Sequence, residues 1–175
     1  QARGLAGTLF VHKIAGAAAE GGADLDTVTE IARRVIAGTR SIGMSLDTCT
    51  VPGSPKEMRI PTGKAELGLG IHGEPGVEQV DFSGAKDAID RVAEKLAASM
   101  ASGPHVVLLN NLGGTSALEM AVLTNELTRS ALSDRISHIV GPATMMTSLD
   151  MRGFSISVLP ETVADIAALA ASVRV

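Results

Sequence analysis

Residues 106–131 read VVLLNNLGGTSALEMAVLTNELTRSA, and this stretch indicates the class of the fold. Its first four residues are apolar, which is typical of a short strand buried on both faces. A turn with two adjacent glycines follows. Ser116-x-x-Glu119 is then the capping-box signature that opens a helix, which we predict to end near Ala131. A buried strand that passes through a tight turn into a helix is a building unit of α/β sheets.

Apolar periodicity predicts further helices and strands on both sides of this unit. The predicted helices cover about 5–19, 24–38 and 89–100, with a last one opened and capped by Thr162-x-x-Asp165, and the predicted strands cover about 42–46, 65–72, 136–140 and 154–158. The capping box Thr27-x-x-Glu30 is expected to open the second helix. Because adjacent strands occur beside strand–helix alternation, we predict a single α/β domain over 1–175. Its expected architecture is a two-layer sandwich, a mixed sheet of about five to six strands with helices packed on it.

Composition excludes several classes of function. The net charge is −4, no basic run occurs, and aromatic residues make up 2% of the chain, so no nucleic-acid partner is expected. No apolar stretch reaches the roughly 20 residues that cross a bilayer, so no membrane partner is expected. With the single cysteine Cys49 and no leader pattern, we expect a cytoplasmic protein. Charged residues at 19% and a mean hydropathy of +0.26 predict a surface covered by another subunit or domain.

The stretch 65–72, AELGLGIH, ends on the candidate catalytic residue, His72. Strand alternation would place Leu67 and Leu69 on one face, and the two glycines and His72 on the other. Glycine weakens a strand, so a bare glycine face usually means that a ligand or another backbone lies close. The glycines that flank His72 leave its ring without steric cover, and Glu74 is near enough in sequence to orient or polarise it. The sequence therefore predicts an accessible imidazole.

A neutral imidazole at His72 could serve as a general base, a metal ligand or a nucleophile toward a carbonyl. Metal binding is the weakest of the three, because no other ligand-type residue stands at ligand spacing beside it. We predict structural roles for His12, His105 and His138, which are scattered singly along the chain. We predict no metal site.

For three other polar segments we predict structural roles and no catalytic or binding role. The turn at 110–115 matches no phosphate-binding glycine motif, so a tight turn is favoured over an anion site. Asp150 and Arg152 are expected to form a rim ion pair or to contact a neighbour. Cys49 has no base next to it and is predicted to be a small buried residue. It opens the long segment 47–63, whose length favours a functional or interface role.

Six segments, taken in order, resemble the substrate-binding unit of dihydroxyacetone kinases. They are 3–8, 11–20, 49–53, 66–76, 110–115 and 147–151, and the resemblance extends over about 3–160. It implies that His72 adds through a ring nitrogen to the ketone carbon of dihydroxyacetone and holds it as a covalent hemiaminal. Gly73 and Glu74 are carried over with it as substrate-binding residues. The loop at 56–64 departs from the family, since it is shorter and lacks an aromatic residue.

The resemblance also implies partners. Family members carry an N-terminal half with a Gly-Gly-Gly-Ser-Gly-His-Glu-Pro loop, which this sequence does not contain, so we expect the chain to pair with that half. No aspartate cluster for Mg-ATP is found, so no cofactor is expected on this chain, and ATP-Mg or a phosphotransferase-system phosphoprotein is expected on a partner nucleotide-binding domain or subunit. We predict that the chain forms a homodimer. We also predict that the chain alone, without these partners, has no kinase activity. The alternative is a non-catalytic ligand-sensing or dimerisation module derived from such a kinase.

Overall fold

The computed structural model describes residues 5–69 and 76–172, in which five α-helices surround one mixed sheet. The helices are α1 (Thr8–Glu20), α2 (Leu25–Gly38), α3 (Ala85–Ala97), α4 (Ala117–Leu127) and α5 (Val163–Ala170). The strands are β1 (Arg40–Ser45), β2 (Lys64–Leu67), β3 (Glu78–Asp81), β4 (His105–Asn111), β5 (Ile136–Ala143) and β6 (Gly153–Pro160). Single turns of 3-10 helix precede α1 and β5.

The strands form one six-stranded sheet in the order β3-β2-β1-β6-β4-β5. β4 and β5 are parallel, with α4 as the crossover between them, and the other neighbouring pairs are antiparallel. The predicted α/β class and mixed sheet are therefore confirmed. In the part of the chain that the structure describes, no helix is long and apolar enough to cross a membrane.

Helices cover both faces of the sheet, and strand β4, which lies between β6 and the edge strand β5, is apolar at successive positions. Val107 and Leu109 pack in one cluster with α3 and α4, while Val106 and Leu108 pack in a second cluster with α1, α2 and α5. Alternate side chains of a strand point to opposite faces, so an unbroken apolar run requires cover on both. The molecule thus has three layers rather than the two that we expected.

Two local features differ from the sequence-based expectations. β3 was not predicted, because Glu78–Asp81 contains a single apolar residue and forms only through its pairing with β2. The cap of α2 is Asp24, whose side chain accepts a hydrogen bond of 2.8 Å from the Thr27 amide, so the predicted Thr27-x-x-Glu30 capping box is wrong. The predicted capping box at Ser116 and the predicted helix cap at Thr162 are confirmed.

Candidate functional site

The described residues on either side of the segment that holds the predicted site residues are bonded to the sheet. His72, Gly73 and Glu74 lie outside the described residues, which stop at Leu69 and resume at Gly76. The structure describes the stem from which this segment leaves the sheet and to which it returns. We refer to residues 70–75 as the histidine segment.

The departing side of the stem turns at Gly68, where β2 has already ended. Gly68 has a φ of +77°, a left-handed conformation that glycine adopts without steric cost, and its amide donates to the Gly43 carbonyl oxygen at 2.8 Å. The turn breaks the alternation, so Leu67 packs against α3 and α4 while Leu69 joins a separate cluster. The prediction of one continuous strand over 65–72 with Leu67 and Leu69 on the same face is therefore wrong.

The returning side of the stem is fixed at Gly76 and Val77. The Val77 amide donates to the Leu67 carbonyl oxygen at 2.8 Å, and the Gly76 amide donates to Oε2 of Glu66 at 3.1 Å. A Cβ at Gly76 would lie 2.8 Å from the Leu67 carbonyl oxygen and 2.8 Å from the Cβ of Glu66. This position therefore requires glycine because the chain passes directly against β2.

Glu66 is a buried carboxylate, only 4% exposed, on the strand that leads to the histidine segment. The Arg59 guanidinium binds it in a two-pronged arrangement, with Nε 3.0 Å from Oε1 and Nη2 3.1 Å from Oε2. Burial alone would raise the pKa of Glu66, but the hydrogen bonds from Arg59 and Gly76 outweigh it and lower that pKa below its usual value. The carboxylate is therefore ionised at neutral pH.

Four of the segments that carry the family resemblance meet beside this stem. Leu69, Leu112 and Met151 form a buried cluster against which Cys49 packs, half-buried. The long loop between β1 and β2 is tied to the loop before β6 by Asp150, which accepts bonds from the Thr50 amide at 2.6 Å and hydroxyl at 2.7 Å. The tertiary structure thus brings together segments that are far apart in the sequence.

The turn at 110–115 has no free amide to offer an anion. Oδ1 of Asn111 accepts from the amides of Gly113 (2.9 Å) and Thr115 (3.3 Å), and the Gly114 amide donates to the Met151 carbonyl oxygen at 2.9 Å. The next amide, that of Ser116, donates to the Glu119 carboxylate in the predicted capping box. These bonds agree with the interpretation of the segment as a tight turn.

The other predicted polar residues lie apart from the stem or have structural partners. His105 is buried, its Nδ1 lies 2.9 Å from the Gly103 carbonyl oxygen, and burial lowers its pKa. His12 is exposed on α1, and His138 is half-exposed on β5. The ion pair expected between Asp150 and Arg152 is not formed, because Arg152 pairs with Glu119 and Asp150 binds Thr50. Among residues 5–69 and 76–172, no three His, Cys, Asp or Glu side chains are grouped so that they could hold a metal ion.

Arg59 and Glu66 were not identified from the sequence. The available signal was a glutamate between the apolar residues Ala65 and Leu67, because a charged residue among buried neighbours on a strand requires a partner. Its partner Arg59, however, lies in an irregular loop, and the hydrophobic periodicity of a sequence does not predict where a loop residue lies in the fold.

Comparison with known proteins identifies the family. The chain matches the Dak1 domain over residues 1–175, and it belongs to that family. It is 44% identical over 159 residues to the dihydroxyacetone kinase of Citrobacter freundii, covering 90% of this chain and 29% of that protein. It is 38% identical over 165 residues to the dihydroxyacetone-binding subunit DhaK of the PTS-dependent dihydroxyacetone kinase 1 of Listeria innocua, covering 90% of this chain and 49% of that protein.

Solved structures agree with the family assignment. The crystal structure of the C. freundii dihydroxyacetone kinase in complex with AMP-PNP and Mg2+ superposes with a TM-score of 0.91 at 40% identity, over 96% of this chain and 32% of that one. The dihydroxyacetone kinase operon co-activator Dha-DhaQ superposes with a TM-score of 0.86 at 26% identity, over 94% of this chain and 53% of that one. The chain therefore spans about a third to a half of the length of these relatives.

Proposed function

We propose that this chain is the ketose-binding part of a dihydroxyacetone-type kinase and that it holds its substrate as a covalent hemiaminal on His72. The observation that carries the proposal is the Dak1 match over the whole chain, within which the histidine motif stands in the order and context that the family resemblance requires. The described stem supports it, because the residues that flank the histidine segment are held to the sheet, with Gly68 bonded to β1 and Gly76 and Val77 bonded to β2. Gly73 and Glu74 are proposed to contact the substrate beside His72.

The proposed chemistry is an addition that loses no atoms. A neutral ring nitrogen of His72 forms a bond to the ketone carbon, and the carbonyl π electrons move to the oxygen. The oxygen gains a proton while the other ring nitrogen gives one up, so the adduct carries the full mass of the ketone. Glycerol has no carbonyl group and cannot form this bond. Tethering also holds a terminal hydroxyl of the ketose in position for phosphoryl transfer, which lowers the entropic cost of bringing the two reacting groups together.

The phosphoryl donor is proposed to come from a partner. ATP-Mg on a nucleotide-binding domain, or a phosphoprotein of the sugar phosphotransferase system, would supply the group to the tethered hydroxyl. The substrate hydroxyls would be held by an N-terminal half of the kind present in the family, and a second copy of the chain is the proposed partner in a homodimer. The purified chain with ATP and dihydroxyacetone is therefore expected to show no turnover, and measurable turnover would contradict this part of the proposal.

A ligand-sensing function is the second candidate, and one observation favours it. The dihydroxyacetone kinase operon co-activator Dha-DhaQ has the same fold at a TM-score of 0.86, although its name describes a co-activator of the operon and not a kinase. A chain of this fold can thus serve regulation, and binding of a ketose without transfer would suit such a role.

Native mass spectrometry with dihydroxyacetone tests the covalent step. We expect the wild-type protein to gain the full mass of the ketone, and we expect neither His72→Ala with dihydroxyacetone nor wild type with glycerol to gain mass. His12→Ala is the matched histidine control, because His12 lies exposed on α1. No adduct in the wild-type protein joined to its N-terminal half would contradict the proposal. An adduct without turnover beside either phosphoryl donor would favour ligand sensing.

A further inference from the structure

Glu66 is a buried carboxylate paired with the partly exposed Arg59, and burying its charge is costly for a purely structural contact. Removing a carboxylate from water is unfavourable unless every partner is in place, and an apolar residue of similar volume often stabilises such a position equally well. Leu67, the next residue on β2, is fully accommodated in the apolar core. A role in stability alone does not explain why Glu66 carries a charge.

The partners of Glu66 suggest what the charge is used for. One oxygen, Oε2, accepts from both Arg59 and the amide of Gly76, the first described residue after the histidine segment. Arg59 belongs to the long loop between β1 and β2, and its carbonyl oxygen also accepts a 3.4 Å bond from Gln79, which stands opposite Glu66 on β3. The carboxylate therefore joins the long loop to the end of the histidine segment.

We propose that Glu66 and Arg59 are positioning residues for His72. They fix Gly76, four residues after His72, and so restrict where the chain that carries the imidazole rejoins the sheet. This inference rests on the function proposed above, because it takes His72 as the residue that receives the ketone. A backbone that is already fixed at Gly76 loses less conformational entropy when the ketone binds than a backbone that samples several conformations.

Three substitutions separate positioning from simple stability. Glu66→Leu removes the acceptor for Gly76 and the partner of Arg59, whereas Glu66→Gln retains an oxygen acceptor and loses the charge. Arg59→Lys retains the charge and loses the two-pronged geometry. Asp81→Asn is the matched control, because it breaks the Lys64–Asp81 ion pair on the same hairpin and leaves Gly76 in place.

The first measurement is the concentration of dihydroxyacetone that converts half of the full-length protein to the adduct. We expect Glu66→Leu to raise it about tenfold, the equivalent of one charge-assisted hydrogen bond, and Glu66→Gln and Arg59→Lys to raise it less. Asp81→Asn is expected to remain within about twofold of wild type, as surface ion pairs contribute little. The melting temperature of each variant is recorded separately, so that a loss of stability is not mistaken for a loss of positioning.

The second measurement needs no ketose and is the hydrogen exchange of the Gly76 amide. Exchange is expected to accelerate in Glu66→Leu, to accelerate less in Glu66→Gln, and to stay at the wild-type rate in Asp81→Asn. A wild-type protein without adduct would overturn the proposed function, and the positioning role with it. A wild-type adduct with unchanged half-conversion in Glu66→Leu, Glu66→Gln and Arg59→Lys would overturn the positioning role alone.

Discussion

At the scale of single residues, Asn110 shows how one side chain organises buried backbone. It is fully buried at the end of β4, and its Oδ1 accepts from the amides of Met145 (3.0 Å) and Met146 (2.8 Å). Its Nδ2 donates to the Met146 carbonyl oxygen at 2.8 Å and to the Ser155 hydroxyl at 3.2 Å. Both the oxygen and the nitrogen of the side-chain amide are hydrogen-bonded, so Asn110 holds the loop after β5 to the sheet.

Asn110→Ala is expected to lower the free energy of unfolding by about 3 kcal/mol, because two amides and one carbonyl group of the half-buried Met145 and Met146 would lose their partner. Equilibrium denaturation with urea measures the change. Asn125→Ala, on the exposed side of α4, is the control and should change the stability by less than about 0.5 kcal/mol. Equal effects of the two substitutions would show that Asn110 does not organise the loop.

At the scale of elements, the turn between β4 and α4 explains part of the glycine content. A Cβ at Gly113, whose φ is +127°, would lie 2.0 Å from the Leu149 carbonyl oxygen, and one at Gly114 would lie 2.2 Å from that of Asp150. Both distances are impossible for real atoms, so the two backbones must approach closely. The contact between two loops, rather than an approaching ligand, requires these glycines.

The opposite behaviour is expected of a helical glycine. Gly16 is exposed within α1, and beyond the helix backbone nothing lies within 4 Å of an added Cβ, so Gly16→Ala should stabilise the protein by about 0.5–1 kcal/mol. Gly114→Ala should destabilise it and shift the amide resonances of the loop before β6. Thermal unfolding and amide spectra of both variants test this contrast, and a stabilised Gly114→Ala protein would contradict it.

At the scale of the whole molecule, buried and capping carboxylates link stability to pH. Hydrogen bonds from the Ser116 backbone and from Arg152 lower the pKa of Glu119 to about 2. Burial alone would raise the pKa of Asp165, but Arg34, bound at 2.7 and 2.8 Å, outweighs it and lowers that pKa. Glu66 is lowered in the same way by Arg59 and Gly76. Each carboxylate therefore favours the folded state when it is ionised.

The free energy of unfolding is expected to begin to decrease as the pH falls below about 6.5, because burial lowers the pKa of His105, and to fall further between about pH 5 and about pH 2 as the carboxylates are protonated. A lowered folded-state pKa means that the unfolded chain takes up protons first, so the contribution is present above the unfolded pKa and is lost through the folded one. Denaturant unfolding at a series of pH values measures it. Glu119→Gln should show a shallower acid slope, and an unchanged slope would contradict this assignment.

Local patterns were sufficient for much of the fold. The capping box at Ser116, the cap at Thr162 and the apolar run of β4 are determined by neighbours within a few residues, so the sequence alone predicted them. It also singled out His72 through its glycine-rich setting, and the role of that histidine remains a prediction.

Tertiary structure decided what depends on pairing between distant residues. β3 exists because it pairs with β2, and Gly68 interrupts β2 where alternation predicted a longer strand. Glu66 contacts Arg59 and Gly76 only because the fold brings the long loop and the chain before β3 next to β2. The sequence by itself determined the local elements and the residue chemistry, because both depend on near neighbours. The layers, the register and the carboxylate that fixes the stem depend on contacts that exist only in the folded chain.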